Sequence, residues 1–364
     1  MKILLLIALS FSAPACSPSK GQATLEGPEL LFTISNFQTS KLVALKDETV
    51  KEVASSLSAD PIILGTKQEV FLFNRQSTNL NLNKIYTSGT QALYLSKQTS
   101  SNPLLPGDPT SAALLPDGKF LLAGYSSGGI FQFSPINNKV TPVSLKFDTG
   151  EGPFRPYDIL IKEVNDKTKI FLLHHGLGLD FKANGTEMLF EALLKEDGSI
   201  WPVDHDSTKD GNQGIKVNST SPLFLFADSP SPIIAGLCDS LGTNTRCNLE
   251  RLDIETSSVS PLLDLSQIKA SSSNAITEGL DGNSVLLIAQ AKSGGLELRK
   301  VSFSGSETAL YSSPSESYQS FVKSDLVRNR IYLGATKSLI EFQGEVFRKS
   351  HQLDFNPYNG MVIP

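Results

Sequence analysis

Three cysteines, four histidines and a scatter of aspartates are the residues best able to do chemistry in this chain. Cys238 and Cys247 flank the turn-rich octapeptide 239–246. In an oxidising compartment such a pair is expected to close a disulfide, adding about 2–3 kcal/mol for so short a loop. A metal site is the poorer use of them, because no second Cys or His pair lies nearby. Acidic residues recur beside prolines, at Asp60-Pro61 and Asp108-Pro109, and Arg155-Pro156 is followed closely by Asp158. If these prolines open strands that ring one mouth, then Asp60, Asp108, Arg155 and Asp158 converge there, with Glu278 and Tyr318 as further members. Converging carboxylates with one Arg suit a cation or a polar ligand. The plainer reading is that each Asp starts its own solvated turn.

Two weaker constellations remain. Asp206, Thr208, Asp210 and Asn212 place oxygens at alternate positions beside Gly211, the pattern of a loop wrapped around Ca2+. Thr208 stands where an acid is usual and Val217 where a bidentate Glu would be, so an ordinary Asp/Gly-rich surface loop is the competing reading. His174-His175 ends a strand, where neighbours point to opposite faces and cannot share one metal by regular geometry. With Asp204-His205-Asp206, one of them could still build a site. No nucleophile elbow, phosphate loop, zincin helix or paired-cysteine metal motif is present. The formal charge of -5, with Lys and Arg scattered, lacks the basic footprint that nucleic acid demands.

Cys16 has a different context. Lys2 precedes the apolar run 3–11, and Ser12-Ala13-Pro14-Ala15 leads into Cys16. This is the charge, length and small-residue pattern of a secretory signal, too short to span a bilayer. It resembles the bacterial lipoprotein signal, with Ala15 before the cysteine to be lipidated; Ala13 stands where that family usually has Leu, and Pro14 is unusual. An ordinary signal peptidase would cut the same bond. Lipidation has the advantage of explaining the odd cysteine and leaving Cys238 and Cys247 as a pair. The resemblance implies a diacylglyceryl thioether and an N-acyl chain on Cys16, enough for stable membrane anchoring. Ser17 implies sorting to the outer membrane. The chain then divides into a signal peptide (1–15), a lipidated tether (16–27) and one large domain (28–364).

That domain must position the candidate residues, and its sequence is a repeat. In 108–143, four short β-rich runs are separated by Pro116-Asp117-Gly118, by 126–129 and by 135–138. Units of the same kind begin near residues 60, 155, 221, 274 and 318. The first segment has three strands, 30–35, 41–46 and 50–54, and the C-terminus supplies a lone one, 357–363. Four-stranded sheets with two apolar faces cannot stand alone, and stacking them around an axis buries both faces. The expected fold is an all-β, seven-bladed propeller in which the C-terminal strand becomes the innermost strand of the N-terminal blade. A two-domain β-sandwich is the alternative. Within 187–195, Leu189, Leu193 and Leu194 fall at helical spacing, so a helical insertion in the fourth blade is expected. The stretch 30–37, followed by 40–45, resembles the YVTN-type repeat of bacterial surface propellers. The Trp-rich quinoprotein-type repeat is absent, Trp201 being the only Trp.

These resemblances imply an envelope lipoprotein of the outer membrane that binds or scaffolds a protein or glycan partner. The alternative is a hydrolase similar to propeller lactonases, holding a metal on Asp60, Asp108, Asp158 and Glu278.

Overall fold

The computed structural model describes residues 29–36, 38–57, 62–65, 69–75, 80–86, 94–96, 109–124, 128–134, 136–137, 139–149, 154–174, 188–217, 223–225, 232–236, 248–265, 276–290, 295–314 and 319–363. Every regular element among them is a strand, and they form seven antiparallel sheets. The first sheet contains β1 (Leu30–Ser35), β2 (Ser40–Lys46) and β3 (Thr49–Leu57). The second holds β4 (Ile62–Gly65), β5 (Glu69–Arg75), β6 (Leu80–Tyr86) and β7 (Tyr94–Ser96); the third, β8 (Pro109–Leu114), β9 (Phe120–Gly124), β10 (Ile130–Ser134) and β11 (Lys139–Val143). The fourth runs through β12 (Pro156–Val164), β13 (Lys167–His174), β14 (Met188–Leu194) and β15 (Ile200–Val203), with the short β16 (Ile215–Lys216) also pairing with β14. The fifth is β17 (Leu223–Leu225), β18 (Ile233–Gly236), β19 (Asn248–Asp253) and β20 (Ser258–Asp264). The sixth is β21 (Ile276–Glu278), β22 (Ser284–Gln290), β23 (Leu296–Ser302) and β24 (Glu307–Ser313). The seventh is β25 (Gln319–Asp325), β26 (Arg330–Ala335), β27 (Ser338–Gln343) and β28 (Val346–Gln352), and the final strand is β29 (Asn356–Val362).

Burial explains why the sequence reads as it does. The second strand of a sheet is apolar on both faces: β9 is Phe-Leu-Leu-Ala-Gly and wholly buried. Such continuous runs mark strands covered on two sides. The outermost strands, such as β20 and β28, are exposed or half-buried along their length. Among the described residues, apolar clusters join the first sheet to the second and each sheet from the third onward to the next. Leu31, Leu42 and Ala44 of the first sheet meet Ile63 of the second, and Leu121, Ala123 and Ile130 of the third meet Ile159, Ile170 and Phe190 of the fourth. Leu160, Phe171 and Leu173 meet Ile234 and Leu252 of the fifth, whose Ile233 and Leu249 meet Val285 and Leu287 of the sixth. Leu286, Ile288 and Leu298 meet Val322, Ile331 and Leu333 of the seventh. The seventh returns to the first, with Phe321, Tyr332 and Leu339 packed on Leu30, Phe32 and Leu45. Among the described residues, two separate sandwich cores do not form.

The helical insertion expected within 187–195 is a strand instead. β14 is inserted between β13 and β15, and Leu189, Phe190, Glu191 and Ala192 are all buried. A strand buried on both faces carries apolar residues at every position, so its leucines match helical spacing by accident.

The two ends of the chain meet in one sheet. β29 pairs antiparallel with β1, from Leu30 opposite Val362 to Ser35 opposite Asn356, giving the order β29-β1-β2-β3. Ile363 N–H donates to Glu29 O at 3.0 Å, and Glu29 N–H donates to Leu45 O at 2.8 Å. The neighbouring sheet clamps the junction. Arg328 donates to Ile363 O at 3.0 Å and to Asp325 at 2.6 Å. Arg330 pairs with the Glu29 carboxylate, which also accepts from the Tyr332 hydroxyl at 3.4 Å. Burial, with Glu29 and Asp325 close by, pushes the Tyr332 phenol above its ordinary range. Gly360 fits here because a Cβ would stand 3.1 Å from the Phe321 ring.

Two outcomes follow. Removing residues 357–364 deletes most of the closing strand and is expected to abolish cooperative unfolding in a denaturant titration; a truncated chain that melts like the full one contradicts the closure. Glu29→Ala leaves the half-buried Arg330 without its carboxylate and is expected to cost about 2 kcal/mol, read from the shift in chemical unfolding midpoint.

Candidate functional site

The inner strands share a local device. In four of the sheets a register shift follows the first or second ladder pair of the inner strand: at Pro109/Ser111 in β8, Pro156/Asp158 in β12, Gln319/Phe321 in β25 and Pro357/Asn359 in β29. One residue is thus bulged near the start of each strand: Thr110, Tyr157, Ser320 and Tyr358. Proline is tolerated at a strand start, where its missing N–H costs no ladder bond, and a bulge re-aims the side chains beside it. The same local bond recurs after two of these bulges. Asp158 Oδ1 accepts from Ile159 N–H at 2.8 Å, and Asn359 Oδ1 accepts from Gly360 N–H at 2.8 Å.

This end of the inner strands holds two of the expected site residues. Asp158 Oδ1 also accepts from Ser111 Oγ at 2.8 Å, tying the fourth sheet to the third. Arg155 is buried, and its backbone N–H donates to His174 Nδ1 at 3.1 Å. His174 stacks on Phe154, with centroids 5.7 Å apart, and lies 6.0 Å from Phe190. Desolvation, reinforced by the nearby Arg155 charge and opposed by a hydrogen bond to its backbone, pushes the imidazole down to about 4. His174 is therefore neutral near pH 7.

Glu278 is not with them. It is the last residue of β21, paired with Val285 one residue into β22, and its carbonyl accepts from Ser324 Oγ at 2.5 Å near the end of β25. The opposite end of β22, Gln290, lies five residues on, about 17 Å along the strand. Asp158 by contrast pairs with Leu173, one residue from the end of β13. Glu278 and Asp158 thus sit at opposite ends of their inner strands and cannot hold one metal together. Asp60, Asp108, Tyr318 and His175 lie outside the described residues, as do Cys16, Cys238 and Cys247.

The other candidates form a polar staple. Both Asp206 oxygens are engaged within the loop, by Thr208 N–H at 3.2 Å, the Thr208 hydroxyl and Lys209 Nζ at 3.0 Å. The Asn212 amide donates to Lys146 O at 2.6 Å, and Gln213 Nε2 donates to Asp148 at 2.8 Å and to Asp210 O at 3.0 Å. At Gly211 (φ +87°) a Cβ would stand 3.3 Å from the Asp148 Cβ, so glycine suits this turn. The loop docks the fourth sheet on the chain leaving the third, and Val217 is buried. Among the described residues no three His, Cys, Asp or Glu side chains gather as a metal set. His205 faces Glu191, with Nε2 3.0 Å from Oε2, while Lys169 Nζ lies 3.3 Å from Oε1. Burial raises the Glu191 pKa, but hydrogen bonds from His205 and Ser257 and the Lys169 charge outweigh it and hold the carboxyl below its usual range. Sequence reasoning missed this cluster. Its one signal was a Glu and a Lys standing inside apolar strands.

No protein-family model and no curated relative matches the chain. Solved structures do. A candidate 6-phosphogluconolactonase from Bacteroides fragilis is 12% identical, with 92% of this chain and 98% of that one covered at a TM-score of 0.60. Another from Bacteroides uniformis, also 12% identical, has the same TM-score, with coverage of 92% and 99%. An inactive variant of virginiamycin B lyase from Staphylococcus aureus, with quinupristin, is 12% identical at a TM-score of 0.51, covering 86% and 93%. The fold is a β-propeller. At these identities the likeness carries no activity across, and the propellers themselves bear different descriptions.

The buried neutral His174 sets an acid limit. Its folded pKa lies below the ordinary value of 6.5, so the unfolded chain binds the proton more readily. Its contribution is present above pH 6.5 and is lost as pH falls towards about 4, up to about 3 kcal/mol. His174→Gln is expected to flatten that part of a melting-temperature profile; an unchanged acid slope contradicts the assignment.

Proposed function

We propose that this chain is a lipid-anchored envelope protein whose propeller binds a protein or glycan partner through one mouth of the ring, without catalysis. The observation that carries the reading is the bulged, proline-led start of the inner strands, which sets Arg155, Tyr157, Asp158 and Tyr358 at one end of a rigid scaffold. Loops and strand ends on such a scaffold are where recognition is usually built. Guanidinium, carboxylate and two phenols together suit hydrogen bonding to a sugar or a peptide better than covalent chemistry. On this reading the seven sheets are seven blades of one ring, Cys16 carries the lipid, and Cys238 and Cys247 are joined across the link from β18 to β19. The lactonase-like alternative is less supported, since Glu278 stands away from Asp158.

The test is in intact cells. A photo-crosslinking residue at Tyr157 in the anchored protein is expected to capture one envelope protein or glycan, and Asp158→Asn is expected to lower the yield severalfold. Cys16→Ser should move the protein from the membrane to the soluble fraction. Failure to recover any partner, together with turnover on a lactone panel that depends on added metal, would reverse the choice.

A further inference from the structure

Among the described residues six large apolar side chains are exposed: Ile136, Trp201, Leu326, Val327, Val346 and Phe347. Isolated exposed apolar residues are common and mean little. Their placement is what matters. In each sheet the first and third strands run away from the mouth that holds Arg155 and Asp158, so the turns after them lie at the opposite end. Leu326 and Val327 form the turn between β25 and β26, and Ile136 lies in the turn between β10 and β11. Val346 and Phe347 begin β28, and Trp201 is the second residue of β15, each just after such a turn. All six belong to the same end. They come from the third, fourth and seventh sheets.

The chain enters the ring at that end too. Glu29 and Ile363 sit at the foot of β1 and β29, and Arg328, beside Leu326-Val327, donates to Ile363 O at 3.0 Å. Eleven residues, 17–27, separate Cys16 from the domain, and the link spans at most about 40 Å. A lipid on Cys16 would therefore tether the ring from this end. Trp201 is 59% exposed, with its indole N–H donating to Ser199 Oγ at 2.8 Å. An apolar body with a polar tip is the kind of side chain that settles at the headgroup level.

We propose that this end of the propeller docks on the lipid surface, with Leu326, Val327, Phe347, Ile136 and Trp201 dipping into the interface and the Arg155–Asp158 mouth turned away from it. The inference rests on the lipid-anchor reading above and adds an orientation to it. Apolar insertion by a handful of side chains is weak alone, and the anchor makes it effectively intramolecular.

Because Trp201 is the only Trp, its fluorescence reports directly. The full lipidated protein is reconstituted into phosphatidylcholine–phosphatidylglycerol vesicles containing lipids brominated near the headgroup. Trp201 emission is expected to shift to the blue and to be quenched at least twofold. A reporter at the opposite end, Lys337→Trp in a Trp201→Phe background, should be quenched far less. Leu326→Ser with Val327→Ser, both exposed and so tolerated by the fold, should reduce Trp201 quenching. Equal quenching at both ends, or none at Trp201, overturns the docking. Mass analysis of the N-terminal peptide separates the two readings. An acylated Cys16 with unquenched Trp201 defeats the orientation alone, and an unmodified Cys16 defeats the anchor.

Discussion

A sheet that is apolar on both faces has no stable surface of its own, and the sheets whose inner strands have described side chains are of that kind. The consequence is circular. The first and last sheets need each other as much as any neighbours along the chain do, and the pairing of β29 with β1 makes them adjacent by building the first sheet from both termini. Loop-closure entropy for joining two ends this far apart is modest, growing only with the logarithm of length. The apolar contact of Phe321 and Tyr332 with Leu30 and Phe32 offsets it.

Polar groups trapped by this packing are matched with care. Glu191, Asp325 and Glu341 are buried carboxylates, and each has a cationic partner: Lys169 beside Glu191, Arg328 on Asp325 and Arg348 on Glu341. His205 and His351 add a second contact to Glu191 and Glu341. Losing one partner of such a pair leaves an unpaired buried charge, which is far worse than never having had the pair. These clusters therefore fix which surfaces meet rather than adding large net stability. They also show why polarity inside a strand is a poor guide to chemistry in this fold: the buried carboxylates are absorbed by architecture.

Much of the fold was legible because strand and turn signals are local. β1 coincides with the run read at 30–35, β10 and β11 fall between and after the turns read at 126–129 and 135–138, and the lone C-terminal strand read at 357–363 is β29. What was not legible was non-local. β7, β15 and β16 are only two to four residues long, too short for a periodic signal, and β14 read as helix because burial on both faces erases alternation. The candidate site was legible in part. Arg155 and Asp158 do share one end, yet Glu278 does not, because a sequence shows which unit a residue belongs to more easily than which end of the strand it occupies. The Lys169–Glu191–His205 cluster joins β13, β14 and the loop after β15, and no spacing rule announces it.

The propeller is fastened by its termini, with a polar mouth at one end and the chain entry at the other. The final strand thus belongs to the cooperative structure. Native-state hydrogen exchange tests this directly, comparing amides of 356–363 with those of 30–35 and 330–335. The account predicts that all three exchange with the same high protection, limited by global unfolding. Exchange of 356–363 within seconds, while 30–35 and 330–335 stay protected, would contradict it.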